Sequence, residues 1–116
     1  WMTTVCEQSD RGSYSKNEIK IEAAAFSTTE HFYNDSNCTT MTSMETASGT
    51  YKTGNSITTT SGNKATEIDA TWSAADGGAT YLDIYAIVDN KLYFGEEVMG
   101  ATRPTALDFS WYLVKI

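Results

Sequence analysis

Apolar and polar residues alternate with a period of two along most of this chain, most clearly in its last third. Tyr81-Leu82-Asp83-Ile84-Tyr85-Ala86-Ile87-Val88 runs into the turn pair Asp89-Asn90, and Lys91-Leu92-Tyr93-Phe94-Gly95 follows at once. A loop holding Arg103-Pro104 leads to Leu107-Asp108-Phe109-Ser110-Trp111-Tyr112-Leu113-Val114-Lys115. Alternation of this kind, rich in aromatic and β-branched residues, predicts half-buried strands. The same reading predicts strands over Trp1–Glu7, Ser13–Ala24, Phe26–Tyr33 and Thr39–Lys52, the last with a bulge or bend at Ser48-Gly49. It predicts further strands over Ile57–Thr60 and Lys64–Ser73. The Ala23-Ala24-Ala25 run is too short for a helix and is read as extended.

Turn chemistry separates these segments. Gln8 to Gly12, Asn34 to Asn37, Lys52-Thr53-Gly54-Asn55, Ser61-Gly62-Asn63 and Asp76-Gly77-Gly78 are rich in Gly, Asn, Asp and Ser. About eight strands joined by short loops make an antiparallel up-and-down meander, and the lack of helical crossovers excludes a parallel sheet. The expected fold is all-β, one barrel domain over residues 1–116, closed because closure removes exposed edges. A β-sandwich is the alternative.

Composition narrows the function. The 116 residues carry eight basic and 15 acidic side chains, a net charge of −7. No two basic residues are adjacent, so neither a nucleic acid nor an anionic membrane surface is an expected partner. Ser and Thr make up about a quarter of the chain, which favours strands and turns. No stretch reaches the ~20 apolar residues of a membrane helix. The chain begins at Trp1, as a processed or trimmed piece would, with room upstream for a signal or a lipid anchor.

Cys6 and Cys38 invite a disulfide; two free buried thiols are the other reading. Closing a loop of that length would stabilise the fold by ~3–4 kcal/mol in the chain-entropy model. A bridge implies a periplasmic, cell-surface or secreted protein.

Several segments, taken in order, carry a resemblance. They are Trp1 with Cys6, Phe32-Tyr33-Asn34-Asp35-Ser36-Asn37-Cys38-Thr39, Gly49-Thr50-Tyr51, Ile68-Asp69-Ala70-Thr71-Trp72, Leu92-Tyr93-Phe94-Gly95 and Arg103-Pro104-Thr105-Ala106-Leu107-Asp108-Phe109. The pattern resembles small bacterial exported proteins and lipoproteins with a lipocalin-like look. That resemblance implies a calycin-type barrel in the cell envelope. In lipocalins an Arg near the last strand packs on a Trp of the first; the late basic candidates here are Arg103 and Lys115.

Candidate chemistry is sparse. One histidine, His31, excludes a His-rich metal site and reads as an ordinary strand residue. No Gly-x-Ser-x-Gly elbow is present. Asp69, Asp83 and Asp108 each sit between apolar neighbours, either on a solvated outer wall or facing a polar interior. A carboxylate pair of that kind is the one opening for a hydrolase. Aromatic residues are more abundant. Trp72, Tyr85, Phe109 and Trp111 are the candidate lining of a cavity for a small apolar or aromatic ligand. The expected function is therefore a non-catalytic exported barrel that binds such a ligand, without cofactor or metal. The alternative is an envelope interaction or structural module with a filled core and a protein partner.

Overall fold

A computed structural model describes residues 1–8, 12–98 and 102–115. Eight strands form one sheet in sequence order: β1 (Glu7–Gln8), β2 (Tyr14–Glu22), β3 (Ala25–Tyr33), β4 (Met41–Thr58), β5 (Lys64–Trp72), β6 (Thr80–Val88), β7 (Lys91–Phe94) and β8 (Leu113–Val114). Every neighbouring pair is antiparallel. One short 3-10 turn, Ala74–Asp76, links β5 to β6. The all-β up-and-down meander is thus present, and a single sheet replaces the sandwich alternative. The sheet curls into an open half-barrel. Met2 forms isolated bridges to Glu18 of β2 and to Val114 of β8.

The curl originates in β4. Its first ten residues, from Met41 to Thr50, pair with β3, and its last ten, from Gly49 to Thr58, pair with β5. Only Gly49 and Thr50 are paired on both sides. Neighbouring strands so strongly offset must tilt, and a tilted, twisted sheet coils. Glycine at position 49 has a definite cause. A Cβ there would lie 2.2 Å from the Thr71 carbonyl oxygen and 2.8 Å from the Phe26 ring. The ring covers the bare backbone and meets Trp72 edge to face, with centroids 5.1 Å apart.

Five sequence expectations are corrected. Lys52-Thr53-Gly54-Asn55 does not reverse the chain; β4 runs through it, with a bulge between Thr53 and Ser56. The Glu67 carboxylate accepts the Asn55 N–H at 3.1 Å and fills the space beside Gly54, so the turn-prone residues serve the bulge. The expected bulge or bend at Ser48-Gly49 is regular pairing. Ala23-Ala24 forms the β2–β3 turn with Ala24 at φ 65°. The long strand over Leu107–Lys115 is reduced to a bridge at Leu107 and the two residues of β8. Asp108 accepts the Ser110 N–H at 2.9 Å, a local turn that competes with the ladder. The first strand is likewise divided into the Met2 bridges and β1.

Burial is uneven. Ala65, Ile84, Ala86, Tyr93 and Leu107 form the core, backed by Ile57, Val88 and Tyr112. Apart from Ile57 of β4, these residues belong to the β5–β7 half and the segments laid over it. In the other half, Met41 to Thr46 are all exposed. Successive strand residues point to opposite faces, so the sheet there is a single layer open on both sides. The Cys6–Cys38 disulfide is formed and fastens the N-terminal segment to the β3–β4 turn.

Gly49→Ala is expected to destabilise the fold by ~1–3 kcal/mol, the range for forcing an extra methyl group into close packing. Urea unfolding of both proteins measures it. An unchanged midpoint would mean that Phe26 does not lie over this glycine.

Candidate functional site

Two features qualify as sites: a charged cluster under the C-terminal loop, and the open face of the β2–β4 half. The cluster is built on β5. Ala65, Glu67 and Asp69 alternate onto one face, and Ala65 belongs to the core. That face therefore carries two carboxylates directly beside apolar packing, and Arg103 is laid over them. Its Nη2 donates to Asp69 Oδ1 at 2.5 Å, and its Nε stands 3.4 Å from Glu67 Oε2. Nη1 donates to the carbonyls of Ile68 at 3.1 Å and of Asp83 at 2.8 Å, the two members of one cross-strand pair. Arg103 thus ties β5 to β6 through both side chains and backbone.

Asp83 completes the group. Its Oδ1 accepts the N–H of Ile84 at 2.8 Å and of Gly95 at 3.1 Å. A Cβ on Gly95 would fall 2.3 Å from Pro104 Cγ and 2.7 Å from Asp83 Oδ1, so Pro104 closes over this spot. Burial pushes the Asp83 carboxyl above its ordinary value, while the two N–H groups and the Arg103 guanidinium pull it back. The acid–base chemistry open to a carboxylate pair requires a free oxygen facing a substrate. Here Asp69 Oδ1 and Glu67 Oε2 face the Arg103 guanidinium, and Asp83 Oδ1 is held by backbone N–H groups. The cluster acts as a clamp that seats the Arg103-Pro104 loop on the sheet.

Asp108 does not join it. It is capped by the Ser110 hydroxyl and N–H, which hold its carboxyl below the usual range. Of the two late basic candidates, Arg103 thus contacts β5 and β6. His31 Nε2 lies 3.2 Å from Glu18 Oε1 across the β2–β3 pair, in keeping with an ordinary strand residue. The Asp35 carboxylate accepts the Thr39 hydroxyl and the N–H groups of Thr39 and Thr40, which lowers its pKa and leaves it a turn cap. Among the described residues, no group of three or more His, Cys, Asp and Glu side chains is arranged to hold a metal ion.

The four aromatic candidates have separate surroundings. Trp72 meets Phe26. Tyr85 sits in β6 opposite Thr66 and Phe94. Phe109, nearly half exposed, rests edge to face on Tyr93 at 5.0 Å. The Trp111 indole donates to Glu7 Oε1 at 2.7 Å. Tyr93, which alternation alone did not single out, is the buried ring between Phe109 and Tyr112.

Two concavities lie instead on the N-terminal half. A groove of about 540 Å³ is lined by Asn17, Thr28, Glu30, Glu45, Thr46, Ala47 and Asp76. A smaller one, about 200 Å³, lies at the β2–β3 hairpin between Lys20, Glu22, Ala25, Phe26 and Ser27. Trp72, Tyr85, Phe109 and Trp111 line neither. Arg103 was a weaker signal in the sequence than the aromatics. Its mark is that it is one of only eight basic residues and stands next to the only proline.

No family model, no curated protein and no solved structure matches the chain. No helix of the described residues is long and apolar enough to cross a membrane.

The sign of the Asp83 shift makes a pH prediction. A raised carboxyl favours the protonated form in the fold. Its contribution is complete below the ordinary carboxylate value and is lost as pH rises through the raised one. Asp83→Asn keeps an acceptor for Ile84 and Gly95 but does not ionise. The variant should therefore gain stability relative to the parent as pH rises from about 3 to about 7. The lowered carboxyls of Asp35, Asp76 and Asp108 act in the opposite sense but are common to both proteins. Thermal melts across that range decide it, and a gap that shrinks or stays constant would contradict a raised Asp83.

Proposed function

We propose that this chain is a non-catalytic protein-interaction module of the periplasm, cell surface or extracellular space, working through its β2–β4 half. The observation that carries the reading is the division of the sheet. The β5–β8 half is filled: Ile84, Leu92 and Leu113 are fully buried, and Tyr93, Leu107 and the Arg103 clamp occupy the space above the strands. In the β2–β4 half, Met41 to Thr46 are all exposed, and an open, polar groove lies on the strands. A small-ligand barrel has its apolar lining inside and its cavity enclosed. Here Phe26, Trp72, Tyr93, Phe109 and Tyr112 pack in ring pairs, and the larger groove is open and lined mostly by polar residues. A broad, polar, Ser/Thr-rich strand surface suits a protein partner.

The disulfide supports an oxidising compartment, as does the resemblance to exported envelope proteins. The acidic surface keeps such a module away from nucleic acid and anionic lipid.

Titration with the apolar fluorophore N-phenyl-1-naphthylamine separates this reading from a ligand-binding barrel. The expected outcome is weak, non-saturating enhancement that Phe109→Ala and Trp111→Ala leave unchanged. Stoichiometric, saturable binding that either substitution abolishes would establish an internal apolar site and overturn the proposal.

A further inference from the structure

Residues 1–6 lie between the outer edge of β2 and β8. The Thr3 N–H donates to the Asn17 carbonyl at 2.8 Å, and the Thr3 hydroxyl accepts the Asn17 N–H at 2.9 Å. The Ile19 N–H donates to the Trp1 carbonyl at 2.7 Å. On the other side, Met2 and Val114 each donate an N–H to the other's carbonyl at 2.8 Å. The segment thus spans the seam between β2 and β8. Burial adds little to these bonds. Of residues 1–6 Thr3 alone is buried, and Thr4 and Val5 are exposed. A segment held by backbone hydrogen bonds, with no buried apolar side chain of its own, opens at the low end of the stability range.

One covalent bond offsets that weakness. The Cys6–Cys38 bridge joins residues 32 apart and pins the segment to the β3–β4 turn. Its two sides are unequal. The turn is held by bonds of its own: the Asp35 carboxylate accepts the N–H of Thr39 at 3.0 Å and of Thr40 at 2.9 Å, and the Asn34 N–H donates to the Thr40 carbonyl at 3.2 Å. Cys38 is buried in it at φ 52°, a left-handed conformation that costs a residue with a side chain and that collects at switch regions. Cys6 is less buried and follows the exposed Val5. Cys6 is therefore the side of the bridge that is free to leave. Beyond it the chain stays attached at β1, where Glu7 pairs with Ser15 and accepts the Trp111 indole N–H at 2.7 Å.

We propose that the Cys6–Cys38 bond is a redox latch: its reduction releases residues 1–6 and uncovers the outer edge of β2 at Asn17 and Ile19, while the rest of the sheet stays folded. The reductant is a dithiol. One of its thiolates attacks Cys6 Sγ and expels Cys38 as a thiolate, which takes up a proton. The second thiol of the reductant then displaces Cys6 as a thiol, and the dithiol ends as a cyclic disulfide. The dithiol loses the electron pair and the protons that the protein gains. The ladder from β2 to β6 is made of strands of nine to eighteen residues, against two residues each in β1 and β8, so it holds without the bridge. Asn17 also lines the larger groove, so the latch acts on the half of the sheet assigned above to interaction. Release itself does not require that assignment.

Amide hydrogen exchange followed by nuclear magnetic resonance is the test. It is run on the oxidised chain, on the chain in excess dithiothreitol, and on the double variant Cys6→Ser with Cys38→Ser; thiol titration shows when the bridge has opened. The amides of Thr3, Asn17, Ile19 and Val114 should exchange at least about tenfold faster in the reduced chain and in the variant, while those of the β5–β6 ladder keep their rates. Reoxidation should restore the slow rates. Unchanged rates at the seam overturn the proposal, because residues 1–6 then hold without the bond. Equal acceleration in the β5–β6 ladder also overturns it, because the bridge then supports the whole fold. A bridge that excess dithiothreitol leaves closed under native conditions overturns it as well. The reduced chain decides alone if the double variant does not fold. Saturable fluorophore binding removes the interaction module without touching the latch, so the two failures are distinguishable.

Discussion

Gly49 and Thr50 are the two residues at which the halves of this protein are joined by pairing on both sides of one strand. Their place in the ladders is set by sterics. Only a residue without a side chain lets the Phe26 ring and the Thr71 carbonyl approach the same backbone, and that approach allows β3 and β5 to meet on opposite sides of β4. From this offset follow the tilt and curl of the sheet, the length of β4 and the two open edges along it. The uneven core follows as well. The C-terminal segments fold back over β5–β7 and bury their inner face, while nothing among the described residues lies over the first half of β4.

Filling, more than binding, explains the chemistry of the C-terminal half. Tyr93 lies between Phe109 and Tyr112, and Lys91 covers the Tyr112 ring at 4.6 Å from its centroid. Arg103 satisfies two carboxylates and two carbonyls in a half-buried setting, where each charge-assisted hydrogen bond is worth ~1.5–3 kcal/mol. The effect is to lock the loop over β5 and β6 and to compensate Glu67 and Asp69. The disulfide does comparable work at the other end by fastening the segment through which Met2 bridges β2 and β8.

Strand identity was legible because alternation reports a half-buried surface directly, and Tyr81 to Val88 with Asp89-Asn90 is the clearest case. Both turn residues there have positive φ, as a tight hairpin needs. Where local signals failed, the residues have more than one use. Gly and Asn serve turns and bulges alike, and the choice at Gly54-Asn55 depended on Glu67, a residue distant in sequence. Alternation over Leu107–Lys115 was real, but the Asp108 carboxylate offered the backbone a competing bond. Asp69 and Asp83 were legible as carboxylates between apolar neighbours. That Arg103 binds the Asp69 carboxylate and the Asp83 carbonyl was not, because it reaches them from a loop whose path no periodicity encodes. The aromatic residues announced packing correctly and could not announce their partners.

The continuity of β4 is tested most directly by cross-strand nuclear Overhauser contacts at its centre. The account predicts that Gly49 and Thr50 show contacts on both sides, to Phe26 and Ala25 and also to Trp72 and Thr71. Contacts to one side only, together with hairpin contacts across Lys52 to Asn55, would mean that the chain turns there, and the offset sheet would not exist.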